Sequence, residues 1–205
     1  MKTIRPLVMA LTLLGVVPAS FANVEVSGVS LDETAIVGDQ KLQLNGAGYR
    51  KRGYFKIDVT ALYVPQKMSA LETIESATVP RRIELVILQD ITGSQASRYF
   101  LIDFEASATP AEFSKLITEV GQVGDIYSSL SRIKKGDVIT MDWVPGKGLI
   151  ATYNGAPLTP HGASSPYINS ELLGKVMLRM YVSGKTPAEL RENLLGLSSS
   201  MRDKK

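Results

Sequence analysis

Between residues 54 and 64 apolar side chains recur at every second position, through Phe55, Ile57, Val59, Ala61 and Tyr63. A period of two suits a half-buried strand and excludes an amphipathic helix. Such a strand needs a partner at each edge and a cover for its apolar face. Residues 41–49 alternate as well, with Leu42 and Leu44 on one side, and Arg50-Lys51-Arg52-Gly53 joins the two segments. The pattern predicts an antiparallel hairpin turning there. A third strand is predicted over residues 82–88, where Ile83, Leu85 and Ile87 alternate. Two more, over 138–144 and 148–153, flank Pro145-Gly146-Lys147, and Asn154-Gly155 marks another tight turn. Residues 23–29 alternate weakly, through Val24 and Val26, and are expected to add one short strand.

Helical spacing falls between and after these strands. Ala96, Phe100, Leu101 and Phe104 share one face, as do Phe113, Leu116, Ile117 and Val120. Thr109-Pro110-Ala111-Glu112 carries a threonine cap, a proline at the first helical position and a glutamate that can reach back. Thr186-Pro187-Ala188-Glu189 repeats that signature and predicts a second helix start of the same kind. The longest helix is expected over 169–182, where Leu172, Leu173, Val176, Met177, Met180 and Tyr181 form a broad apolar stripe. Strands first, with helices inserted and then appended, imply an α+β domain whose antiparallel sheet is covered on one face by helices.

The amino-terminal segment reads as a targeting signal. Lys2 and Arg5 precede an apolar run over residues 7–17, broken only by Thr12, and Ser20-Phe21-Ala22 places small residues where a signal peptidase reads. Cleavage is expected after Ala22, leaving one domain over residues 23–205 in the periplasm or outside the cell. The run is short of the ~20 residues a membrane-spanning helix needs, so no integral segment is expected after cleavage; an uncleaved anchor is the weaker alternative. Of the 23 Lys and Arg, loss of Lys2 and Arg5 leaves 21 against 20 Asp and Glu. A near-neutral chain has no electrostatic case for binding nucleic acid. With no cysteine and a single histidine, His161, the chain has no thiolate nucleophile, disulfide, iron–sulfur ligation or His-rich metal site. No G-x-S-x-G elbow presents a serine, and no cofactor is expected. Gly46-Ala47-Gly48 begins like a dinucleotide fingerprint but leads into a strand instead of a helix. Those glycines fit close backbone approach or a bulge better.

The segment Asn45-Gly46-Ala47-Gly48-Tyr49-Arg50, followed by Phe55-Lys56-Ile57-Asp58-Val59-Thr60-Ala61-Leu62-Tyr63, resembles the chalcone isomerase superfamily, especially its bacterial exported branch. That branch carries an N-G-x-G-x-R turn and a strand reading F-K-V-Y-x-A-A-L-Y. Pro80-Arg81-Arg82-Ile83-Glu84-Leu85, Lys135-Gly136-Asp137, Pro145-Gly146-Lys147-Gly148 and the ending from Gly184 to Gly196 extend the resemblance in order. It implies an open-faced β-sandwich, with a large antiparallel sheet against a helical layer.

The resemblance also implies a site. Plant members that cyclise chalcones use an arginine after the glycine turn, a threonine on the next strand, a tyrosine and an asparagine on the following helix, and a small hydroxyl residue on a late helix. Carried across, with Thr92-Gly93-Ser94-Gln95 fixing the register, these positions are Arg50, Asp58, Ala96, Asp103 and Met180. Four of the five depart. Ala96 has no hydrogen-bonding side chain and Asp58 would repel a phenolate, so plant-type cyclisation is not expected. A second branch binds fatty acids without catalysis, with the same arginine and a tyrosine one strand on, where this chain has Asp58.

The expectation is therefore an exported, non-catalytic protein holding a small amphipathic anion, fatty-acid-like or phenolic, in the sheet–helix cleft at Arg50. One alternative is an isomerase (intramolecular lyase) acting on an enone, with Arg50 holding the anion and Asp58 or Asp103 as general base. The other is an envelope interaction module whose cleft is collapsed, with Arg50 and Asp58 bridging each other. Asp58 could equally be a solvent-side carboxylate, since it lies opposite Phe55, Ile57 and Val59. Tyr63 is expected in the core with its hydroxyl on a backbone partner. No protein partner can be read from these residues.

Overall fold

A computed structural model describes residues 23–198; the expected signal segment lies outside the described residues. Strands β1 (Asn23–Val26) and β2 (Val29–Asp32) form a separate hairpin. The sequence suggests one strand here, but Ser27 and Gly28 both take positive φ, 51° and 78°, and turn the chain back on itself. Then come β3 (Thr34–Val37), β4 (Gln40–Arg52), β5 (Phe55–Val64), α1 (Leu71–Ile74) and β6 (Arg81–Ile87). A short pair, β7 (Ile91–Thr92) with β8 (Arg132–Ile133), brackets α2 (Gly93–Ser107), α3 (Pro110–Lys115) and α4 (Ile117–Ser129). The chain continues through β9 (Val138–Val144), β10 (Gly148–Tyr153), β11 (Ala156–Leu158), β12 (Tyr167–Ile168), α5 (Glu171–Val182) and α6 (Ala188–Leu194).

The large sheet is antiparallel in the order β11-β10-β9-β6-β5-β4-β3, with β12 also pairing β10. Leu62, Leu85 and Met141 on one face pack with Phe100, Phe104 and Val176 from the helices. On the other face Val59, Ala61 and Tyr63 pack with Leu31 of the β1–β2 hairpin. The Tyr63 hydroxyl donates to the Asp32 carbonyl at 3.0 Å, the backbone partner expected of it. With covers on both faces, β5 is buried from Ile57 to Val64, more than the half-buried strand its alternation predicts. Asp58 is only 1% exposed and is no solvent-side carboxylate.

The helices depart from the sequence reading in detail. The longest is α2, with 15 residues; α5 has 12 and starts at Glu171. Leu101 and Ile117, assigned to buried faces, are 39% and 59% exposed. Ile117 follows a break at Leu116 that separates α3 from α4, so the apolar spacing runs across two helix axes. The Thr109 box forms as expected, with reciprocal bonds of 3.2 and 2.8 Å to Glu112. The Thr186 box does not. Thr186 instead donates its hydroxyl to the Met180 carbonyl at 3.2 Å, and α6 starts after Pro187 without a side-chain cap.

Two glycines let α6 lie on β4. A Cβ on Gly46 would stand 1.9 Å from the Asn193 carbonyl oxygen, and one on Gly48 2.8 Å from Leu190 Cδ1. Both reasons the sequence offered hold at Gly46, where β4 also shifts register against β5 between Leu44 and Gly46; at Gly48 close approach is the reason. Beside them Asn45 is a three-way clip: its amide donates to the Met68 and Leu194 carbonyls and accepts from the Met68 N–H, each at 2.8 Å. The two contacts fix α6 against β4, and α6 forms one wall of the recess described below.

Candidate functional site

Arg50 and Asp58 face each other across β4 and β5 as register partners, just before a bulge at Arg50/Lys51. Arg50 Nε donates to both Asp58 oxygens at 3.0 Å, and Nη2 donates to Oδ2 at 2.7 Å. Thr60, two residues along and on the same strand face, donates its hydroxyl to Asp58 Oδ1 at 2.8 Å. Asp103 comes down from α2 to accept from Arg50 Nη1 at 3.3 Å and from Arg52 Nη2. One carboxylate oxygen thus bridges two guanidinium groups. Arg50 lies over the Tyr181 ring of α5, and Arg52 over the Tyr99 ring of α2, each at 5.0 Å.

Burial by itself would lower the Arg50 pKa, but Asp58 foremost, with Tyr181 and Asp103, outweighs it and raises it well above the usual arginine range. The group is a permanent cation. Tyr127 is pushed up to about 12 and Tyr181 is also raised, both chiefly by burial, so each keeps its phenolic proton across the neutral range. Arg52 adds an unusual feature. Its Nε is buried with no hydrogen-bond partner among the described residues. An orphaned charged donor of this kind is costly unless an acceptor reaches it.

On the inner side of the cluster is a cavity of about 40 Å³, lined by Arg50, Asp58, Ala96, Tyr127, Met180 and Tyr181 among others. That is room for about one water molecule, far below the ~300 Å³ of a typical ligand pocket. On the outer side is a recess of about 340 Å³, whose walls include Arg50, Arg52, Asp103, Met180, Lys185 and Leu190. Arg50 and Met180 line both spaces and form the partition between them. A larger recess of about 760 Å³, near Asn45 and Lys67, holds none of these residues. The Lys67 ammonium there donates to the Leu44 and Asn45 carbonyls of β4.

All five residues nominated from sequence converge on this region. Arg50, Asp58 and Asp103 form the ion cluster, while Ala96 and Met180, 7% and 8% exposed, supply apolar wall. Sequence reasoning missed Arg52, Thr60, Tyr99 and Tyr127. Thr60 shares the strand parity of Asp58, and Tyr99 lies one helical turn before Asp103, so both were within reach of periodicity. The second role of Arg52 was hidden in what reads as a solvated charged turn. Among the described residues no group of three or more acidic or histidine side chains could hold a metal ion, and no helix is long and apolar enough to cross a membrane.

A family model described as chalcone isomerase-like matches residues 23–196. The crystal structure of an Arabidopsis thaliana fatty-acid binding protein superposes with a TM-score of 0.68 at 16% identity, over 82% of this chain and 92% of that one. No curated protein matches the chain. The helical layer on an antiparallel sheet agrees with the architecture expected from sequence.

Proposed function

Because the chain belongs to the chalcone isomerase-like family, we propose that it is an exported, non-catalytic binder of a small amphipathic anion. The acidic head lies in the outer recess on Arg50 and Arg52, and the apolar part lies against Met180 and Leu190 and reaches toward the cleft between sheet and helices. The observation that carries this reading is the orphaned Arg52 Nε, beside a carboxylate already seated on two guanidinium groups. Asp103 occupies the place a ligand carboxylate would take. Asp58 keeps Arg50 charged and aimed while the second carboxylate is exchanged. Met180, unbranched and adaptable, is the group that would move for a chain to pass inward. The fold shared with a fatty-acid binding protein is consistent with this use of the cleft.

The test is calorimetric titration with a medium-chain fatty acid and with a phenolic acid. Asp103→Asn, which frees both guanidinium groups of a competing charge, should bind about tenfold more tightly than wild type. Arg52→Gln should bind about tenfold more weakly, with a urea unfolding curve beside the titration to show that the variant is folded. Absence of heat for all three proteins, or affinities unmoved by both changes, overturns the reading. Export is tested separately by sequencing the amino terminus of the protein recovered from cells, which should begin at Asn23.

A second reading, an interaction module with a closed cleft, is favoured by the three hydrogen bonds joining Arg50 to Asp58 over an inner cavity of only about 40 Å³. It predicts no binding of either acid, even by Asp103→Asn.

A further inference from the structure

The tip of the β4–β5 hairpin is the most exposed apolar feature among the described residues. Tyr54 is 100% exposed and Phe55 66%, on a turn whose Gly53 takes φ 59°. Packing inside this domain gives no reason for two adjacent aromatic rings in water. Around them the sequence is cationic: Lys51 and Arg52 precede the turn and Lys56 follows it. Arg52 is held by Asp103, but Lys51 and Lys56 have no carboxylate partner among the described residues. Both ammonium groups lie over the Tyr49 ring, at 5.4 and 4.0 Å, and Lys56 also donates to the Ser27 hydroxyl at 3.0 Å.

We propose that this tip docks on an anionic lipid bilayer, with Tyr54 and Phe55 entering the headgroup region and Lys51 and Lys56 lying against lipid phosphates. Aromatic rings favour that depth because one part is apolar and the other tolerates water, while lysines gain from the negative surface potential. A narrow protrusion carrying two rings offers little of the broad, flat area that a stable protein contact buries, and its uncompensated charge is of one sign. Tyr49, which carries both lysines, also lines the outer recess, together with Lys51 and Lys185. Docking would therefore set the mouth of that recess beside the membrane, the phase in which amphipathic acids reside. The surface activity does not depend on the ligand reading, since it needs no molecule bound in the recess.

The absence of cysteine makes the test local. Tyr54→Cys and, at the opposite end of β4, Asp39→Cys each provide one site for an environment-sensitive fluorophore. Vesicles of phosphatidylglycerol mixed with phosphatidylcholine should shift the emission of the label at position 54 to the blue and leave the label at 39 unchanged. Vesicles of phosphatidylcholine alone should produce little shift. Adding Lys51→Gln and Lys56→Gln should weaken anionic-vesicle binding by about fivefold each. Phe55→Ser should weaken it by about tenfold. No shift at position 54, equal shifts at both positions, or binding indifferent to the lysine and phenylalanine changes overturns the proposal, including the case in which the tip proves to contact a protein instead.

Discussion

Arg50→Ala is expected to destabilise the fold by about 3–5 kcal/mol, because it strands the Asp58 carboxylate in the interior. Asp58 is 1% exposed, and once Arg50 is gone its remaining side-chain partner is the Thr60 hydroxyl. An exposed ion pair would lose ~1 kcal/mol or less on the same change. The size of the loss therefore reports burial of the pair. Replacing both partners by apolar residues, Arg50→Met with Asp58→Leu, should recover most of that stability while abolishing the anion site. Urea unfolding of the two variants beside wild type checks both statements. A single variant as stable as wild type, or a double variant no better than the single, contradicts the buried-pair account. For this reason Arg50→Ala is a poor probe of binding, and the ligand titrations use Asp103 and Arg52.

The second large effect belongs to Gly46→Ala, expected to cost about 3 kcal/mol or more. The added Cβ would meet backbone oxygens of Asn193 and Leu194 at 1.9 and 2.8 Å, and neither can yield unless α6 lifts from β4. Gly48→Ala meets first the end of a flexible side chain, Leu190, and should cost clearly less. Thermal denaturation of the two variants gives the ordering. If Gly48→Ala is the more damaging, α6 is not held at the place described.

Strand parity made much of this fold legible: Ile83, Leu85 and Ile87 alternate in the sequence and are buried on β6 as expected. The bounds of β9 and β10 coincide with the apolar runs on either side of Pro145-Gly146-Lys147. Parity could not say what lies over each face. Val59 and Ala61 meet a hairpin, while Asp58 and Thr60 look toward the helices, so the polar-looking side of β5 is as dry as the apolar one. The β1–β2 turn escaped because Ser27 adopts a left-handed conformation that serine rarely signals. The second capping signature failed for a tertiary reason. Thr186 spends its hydroxyl on Met180, a bond that exists only once α5 and the following turn have folded.

The same mixture holds for the site. The family resemblance located Arg50, Asp58, Ala96, Asp103 and Met180, residues far apart in sequence that the fold gathers around one partition. It could not reveal that Asp103 would join Arg50 to Arg52, because that bridge depends on how α2 is set against the hairpin. Nor could it give the size of the inner cavity, which rests on how Met180, Tyr127 and Tyr181 fill it.

The Asn45 clip ties two positions separated by 149 residues. Contacts of such long range are slow to form, and here they also wait on synthesis. When the glycine-rich stretch of β4 leaves the ribosome, the helix that will cover it has not yet been translated. A chain interrupted ahead of Asn193 would therefore carry that strand uncovered.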